Sequence, residues 1–155
     1  MASEFNAATM TVTITTALTL DGEDRGSSVS QTIASIVAHD RRMVPVPTSE
    51  VILLAFGAAV AAGTYVVADV RFILIANRDD TNHVTLVFRN SDSDEFAVKV
   101  DAGNFILLFG DNSDGVASLI DADSSALTVS LADLTDITAL ADTAECILEL
   151  IVAGV

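Results

Sequence analysis

Tryptophan is absent from this chain, tyrosine occurs once at Tyr65, and cysteine occurs once at Cys146. A single cysteine excludes an intrachain disulfide. Its alternation with Leu148 and Leu150 marks it as a buried structural thiol rather than a nucleophile. Two histidines, His39 and His83, are too few for the several-histidine sets that hold catalytic metals, and neither stands near a G-x-S-x-G elbow. No G-x-x-x-x-G-K-[ST] phosphate loop occurs. These absences argue against an enzyme: no catalytic, cofactor-binding or metal-ligating residue is assigned. Scarce aromatics also weigh against a sugar-binding face, for which Tyr65 is the one obvious stacking residue.

Positive charge is scarce as well. Seven Lys and Arg face 22 Asp and Glu, a formal charge of −15, and residues 101–155 hold ten acids with no Lys, Arg or His. That distribution argues against direct nucleic-acid contact through the C-terminal third. It suits solubility, or a cation or basic partner surface. The only concentrated basic island is "HDRR" (39–42), expected to pair within the chain. Prolines number two, Pro45 and Pro47 in "VPVPTS", which places that stretch at a sheet edge or a crossover.

What the chain has in quantity is aliphatic. Hydrophobic residues make up 51% and mean hydropathy is +0.54, supplied by Val, Ile, Leu and Ala beside abundant Thr. β-branched residues favour strands. A chain of 155 residues suits one domain. The uncharged run "VILLAFGAAVAAGTYVVA" (51–68) has the length of a membrane helix. Gly57 and Gly63 interrupt it, and Glu50 and Asp69 close it without flanking bases, so two buried strands with an Ala/Gly connection are expected instead. "MASEFNAATM" lacks a basic region leading into an apolar run, so no secretory signal is expected. Residues 1–10 are read as an N-terminal arm, mobile or docked on a partner, and 11–155 as one β-sandwich domain.

Period-2 alternation runs through the chain. In "TVTITTALTL" (11–20), Val12, Ile14, Leu18 and Leu20 share one face and Thr11, Thr13, Thr15 and Thr19 the other, a half-buried strand. "DGEDRGSS" reads as a turn-rich loop. "HVTLVFR" points Val84, Leu86 and Phe88 inward, and "EFAVKV" points Phe96, Val98 and Val100 inward. "DAG" (101–103) is a tight turn into "NFILLF", "ALTVSL" (126–131) a strand, and "ECILELIV" the closing strand. Residues 132–142, together with Leu131, fit a short helix through Leu131, Leu134, Ile137 and Ala141, yet Thr135 and Thr138 do not favour one, and helix and strand both stay open. Eight to ten short strands without βα alternation predict an all-β antiparallel sandwich of jelly-roll type.

"IANRDDTNHVTL" (75–86) raises the one metal question, through Asp79, Asp80 and His83. Asn, Asp and Thr are equally what a turn requires, so a hairpin tip is expected there. "DNSDG" (111–115) and "DSDE" (92–95) are oxygen-rich enough to attract calcium, but neither follows an EF-hand loop, and solvated loops are expected.

From "DVRFILIANRDDTNHVTLVFRNSDSDEFAVKVDAGNFILL" (69–108), the chain resembles small tailed-bacteriophage virion proteins. The likeness rests on Asn77 with Asp79 and Asp80 as a strand-ending turn, the strand Val84 to Phe88, and Ala102–Gly103 before the next strand. The closing "DITALADTAECILELIVAG" is similar in kind. The resemblance implies a non-enzymatic structural role, capsid decoration or cement, and carries over no site residues. The expected partners are other copies of the chain, with a trimer favoured, and capsid or other virion proteins. Neither nucleic acid nor membrane is expected as a direct partner. The expected location is the virion, after synthesis in the host cytoplasm. The alternative is a receptor- or glycan-binding sandwich module of a phage tail or host surface.

Overall fold

A computed structural model describes residues 6–110, 115–119 and 133–155. Its strands are β1 (Ala8–Thr16), β2 (Thr19–Leu20), β3 (Glu23–Asp24), β4 (Ser27–Ile36), β5 (Ala38–Val46), β6 (Val51–Gly57) and β7 (Tyr65–Val66). They continue as β8 (Val70–Asn77), β9 (Val84–Asn90), β10 (Glu95–Val100), β11 (Phe105–Phe109), β12 (Leu134–Ala141) and β13 (Cys146–Gly154). A short 3-10 turn, Val116–Leu119, stands between β11 and β12.

The protein is an all-β sandwich. One sheet has the order β11-β8-β13-β5 and the other β10-β9-β12-β6-β7. Every pairing is antiparallel except the short one between β6 and β7. From β5 onward the chain passes repeatedly from one sheet to the other; among the described residues, β9–β10 is the one tight hairpin within a sandwich sheet. Between the sheets lies the main core, with Leu86, Phe88, Ile73, Ile75, Leu148 and Leu150 all fully buried. Phe88 stacks on Phe96 at 4.7 Å between ring centroids, an arrangement that adds to simple area burial.

The alternations expected for 84–88 and 96–100 hold. Val84, Leu86 and Phe88 are buried, while Glu95, Ala97 and Lys99 are exposed. Cys146 is buried beside Leu148 and Leu150, as its spacing implies. The uncharged run at 51–68 divides into β6 and β7, and among the described residues no helix is long and apolar enough to cross a membrane. β5, which contains Pro45, lies at a sheet edge, the position in a sheet where proline is tolerated. Residues 134–141 are strand, seated between β9 and β6, so tertiary pairing decides a segment that propensity leaves open. The readings at 126–131 and 111–114 lie outside the described residues.

The N-terminal region departs from expectation. β1 begins at Ala8 and pairs only with β4 among the described strands, so that residues 8–36 form a long two-stranded ribbon. The loop read at 21–28 is instead the ribbon's tip. Leu20 opposes Glu23, with Asp21 and Gly22 at φ 53° and 81° between them. That two-residue turn suits Asp-Gly, because both positions need positive φ. Thr13 and Ser30 hydroxyls pair at 2.8 Å, and Thr15 and Ser28 at 3.2 Å, across the ladder. The apolar face is not half-buried along its length. Val12 is covered, but Ile14, Leu18 and Leu20 are 43%, 53% and 55% exposed. Alternation records that a strand has two unlike faces; it does not say what lies against the apolar one.

Candidate functional site

The stretch 77–83 is a turn, but not the tip of a hairpin. β8 and β9 belong to different sheets, and the loop carries the chain across the sandwich edge. Asn77 and Asp79 shape it. Asp79 Oδ1 accepts the N–H groups of Asn82 at 2.6 Å and Thr81 at 2.8 Å, and Asn77 Oδ1 accepts that of Asp79. These backbone donors hold the Asp79 carboxyl below the usual carboxylate range. Asn77 Nδ2 donates to the carbonyls of Asn82 and Val100, tying the loop to the end of β10. Asp80 accepts from the Thr81 hydroxyl, and His83 Nδ1 stands 3.5 Å from Asp142. Its three candidate ligands therefore have separate partners.

The segment 92–95 also turns on an asparagine. Asn90 Oδ1 accepts from the N–H groups of Asp92 and Asp94, and Ser93 takes φ 69°. Among the described residues, no group of three or more His, Cys, Asp or Glu is gathered in a way that could hold a metal ion.

Two charged clusters are built across the sheets. On the outer face of the four-stranded sheet, Glu149 is almost completely covered by two arginines that are themselves more than half exposed. Arg78 meets its Oε2, and Arg41 reaches Oε1 at 2.6 Å through Nε. Arg78 first, and Arg41 with it, hold the Glu149 carboxyl below its usual range. The island at 39–42 thus pairs internally, with Arg42 also donating to the Leu53 carbonyl at 3.0 Å. On the other sheet, Arg89 reaches Glu50 at 2.6 Å, Glu95 at 3.0 Å and Asp136 at 3.3 Å. Thr138 and then Arg89 lower the Glu50 carboxyl. This clasp fastens β9, β10, β12 and the residue preceding β6.

A cleft of about 250 Å³ opens where β5, β7 and the end of β13 meet, with His39, Asp40, Tyr65 and Asp69 on its walls. Tyr65 donates to Asp40 Oδ2 at 2.7 Å. Burial, and then the Asp40 carboxylate, push the phenol up to about 12, so it stays neutral.

A second apolar surface, partly covered, lies on the outer face of the four-stranded sheet. Register places Phe72, Leu74, Phe109, Leu107 and Phe105 on the outer face of β8 and β11, opposite in sense to buried Ile73 and Ile75. The base of the ribbon covers one corner, where Val12, Ile33 and Ile36 form a second core with Phe72 and Ala153. Beyond that corner a groove of about 410 Å³ remains between β1 and the sheet. Phe105 on its rim is 64% exposed. Sequence reading missed this surface, although the near-continuous apolar run of β8 is what a strand covered on both faces looks like.

No protein-family model matches the chain, and no curated protein or solved structure matches it either.

Proposed function

We propose that the protein is a non-enzymatic structural component of a tailed-bacteriophage virion, a decoration or cement protein that seats on the capsid and stabilises it. One observation carries the reading: a two-stranded ribbon extends from a two-sheet sandwich and exposes Ile14, Leu18, Leu20 and Val29. Beyond its buried base, this apolar surface is left uncovered in the monomer and suits docking on a neighbour. The interleaved strand orders support a jelly-roll reading of the sandwich, and the resemblance at 69–108 points the same way. In this reading the working form is a homo-oligomer, with a trimer favoured, located in the virion after synthesis in the host cytoplasm. Its partners are other virion proteins rather than nucleic acid or membrane.

The test is purification of DNA-filled heads with and without the protein. Stoichiometric retention on heads, and rebinding to heads that lack it, are expected. Failure to bind heads, together with retention on host cells or glycans, overturns the reading. That result favours a receptor- or glycan-binding module, for which the Tyr65 cleft is one available concavity.

A further inference from the structure

We infer that the ribbon is exchanged between copies of this chain: the distal half of one protomer's ribbon lies in the groove beside β8 and β11 of another. The inference takes over only the self-association in the proposed function and does not need the capsid.

Three observations converge on a second copy. First, the ribbon has apolar surface that its own sandwich does not cover. Past Val12 and Ile33 its side chains are exposed, with Val29 at 65%. A two-stranded ribbon is marginal by itself in water, so this half needs a surface to lie on. Up to Thr15 it lines a groove with its own sheet, while Leu18 and Leu20 toward the tip stay more than half exposed. From Val12 to Leu20 it reaches roughly 26 Å at strand rise, enough to cross a neighbour's four-stranded sheet.

Second, the receiving surface is present on the same chain and is apolar. Val12 and Ile14 form one wall of the groove, and Phe72, Leu74, Phe105 and Leu107 the other. β1 has β4 on one side and, among the described strands, none on the other, so an incoming strand finds both an edge and an apolar floor.

Third, the charges are complementary. The tip carries Asp21, Glu23 and Asp24 against Arg25 alone, which already pairs with Glu23 at 3.3 Å. The outer face of the receiving sheet has two exposed arginines, Arg41 and Arg78, sharing the single Glu149. A positive excess is rare on a chain of net charge −15, and this one lies on the face with the groove. Because ribbon and groove are different surfaces, reciprocal exchange gives a closed two-fold pair, and one-way donation closes only as a ring.

Light scattering of the full chain, at high protein concentration and moderate salt, tests this. The parent is expected to run as a multiple of 16.1 kDa. Leu18→Asp with Leu20→Asp, altering the ribbon, and Phe105→Asp, altering the groove, are each expected to give monomers with parental circular dichroism. Mixing the two variants is expected to restore a complex, since each retains what the other lacks. If the ribbon variant misfolds, Glu23→Lys with Asp24→Lys replaces it, and if the groove variant misfolds, Leu107→Ala replaces Phe105→Asp; the exposed tip changes are expected to weaken association about tenfold or more. A parent that is monomeric at every concentration, a ribbon variant that associates like the parent, or a mixture that stays monomeric overturns the exchange. A chain that associates through its ribbon but ignores heads keeps this inference and loses the virion reading. One that binds heads as a monomer does the reverse.

Discussion

Tyr65 and Asp40 are joined by a hydrogen bond of 2.7 Å that ties β7, at the end of one sheet, to β5, at the edge of the other. With no tryptophan and one tyrosine, the chain offers a clean spectroscopic view of this bond. Absorbance titration is expected to place Tyr65 ionisation near 12, above its ordinary value of 10. Asp40→Asn removes the neighbouring negative charge and is expected to lower the midpoint. A native midpoint at the ordinary value is the contrary result. Since the folded value is raised, by burial first and then by Asp40, the stability linked to neutral Tyr65 is fully present below the unfolded value and is lost as pH rises through about 12.

Glu149 gives the opposite pH dependence. Its folded value is depressed by Arg78 and Arg41, so its contribution is present above the ordinary carboxylate range and is lost as pH falls through the folded value. Thermal melts from neutral pH down to about pH 3 should show a loss of stability in acid. Glu149→Gln should lower stability at neutral pH and flatten that acid dependence. A variant with the parent's pH profile removes Glu149 from this role.

Burial separates two leucines that alternation alone treats alike. Leu86 is fully buried between the sheets, whereas Leu20 is 55% exposed on the ribbon. Leu86→Asp is expected to cost about 4 kcal/mol or more, because it buries an unpaired charge. Leu20→Asp is expected to stay within about 0.5 kcal/mol, as for an exposed site. Urea denaturation of the monomer compares them; similar losses for both would mean the ribbon packs on its own sandwich.

That contrast also marks what the sequence discloses. Leu86 and Leu20 sit in equally regular alternations, yet only the first faces a core, because the partner of an apolar face is chosen by tertiary packing. The loop at 77–83 shows the same limit: its turn chemistry is local and legible in Asn77 and Asp79, while its passage between sheets depends on where β9 pairs. Glu149 stands 71 residues from Arg78 and 108 from Arg41, and no local pattern joins them. The Asp21–Gly22 pair, by contrast, is a hairpin signal written in two adjacent residues, and it marks the ribbon tip.

Asp80→Ala with His83→Ala should leave fold and assembly nearly unchanged, since neither side chain holds the backbone of the loop. Asp79→Ala should be the damaging change, because two N–H groups lose their acceptor. Melting temperatures of the two variants give the comparison. The reverse ranking, or loss of a stoichiometric metal from the double variant, would restore a ligand role to Asp80 and His83.

Salt should strengthen self-association. Each copy carries −15, so two copies repel over their whole surfaces, while attraction between the Asp21–Asp24 tip and the Arg41–Arg78 pair involves only a few charges. Screening acts on both, but the long-range repulsion extends across many separations greater than the Debye length of about 10 Å at 0.1 M salt. The tip contact acts at shorter range, and the apolar groove contact gains from salt rather than losing. Sedimentation across a series from about 0.01 M to about 0.5 M salt should therefore show the oligomer population rising. Dissociation as salt increases would mean that the local ion pairs outweigh both the net charge and the apolar groove, and the leucines at 18 and 20 would then not be the main contact.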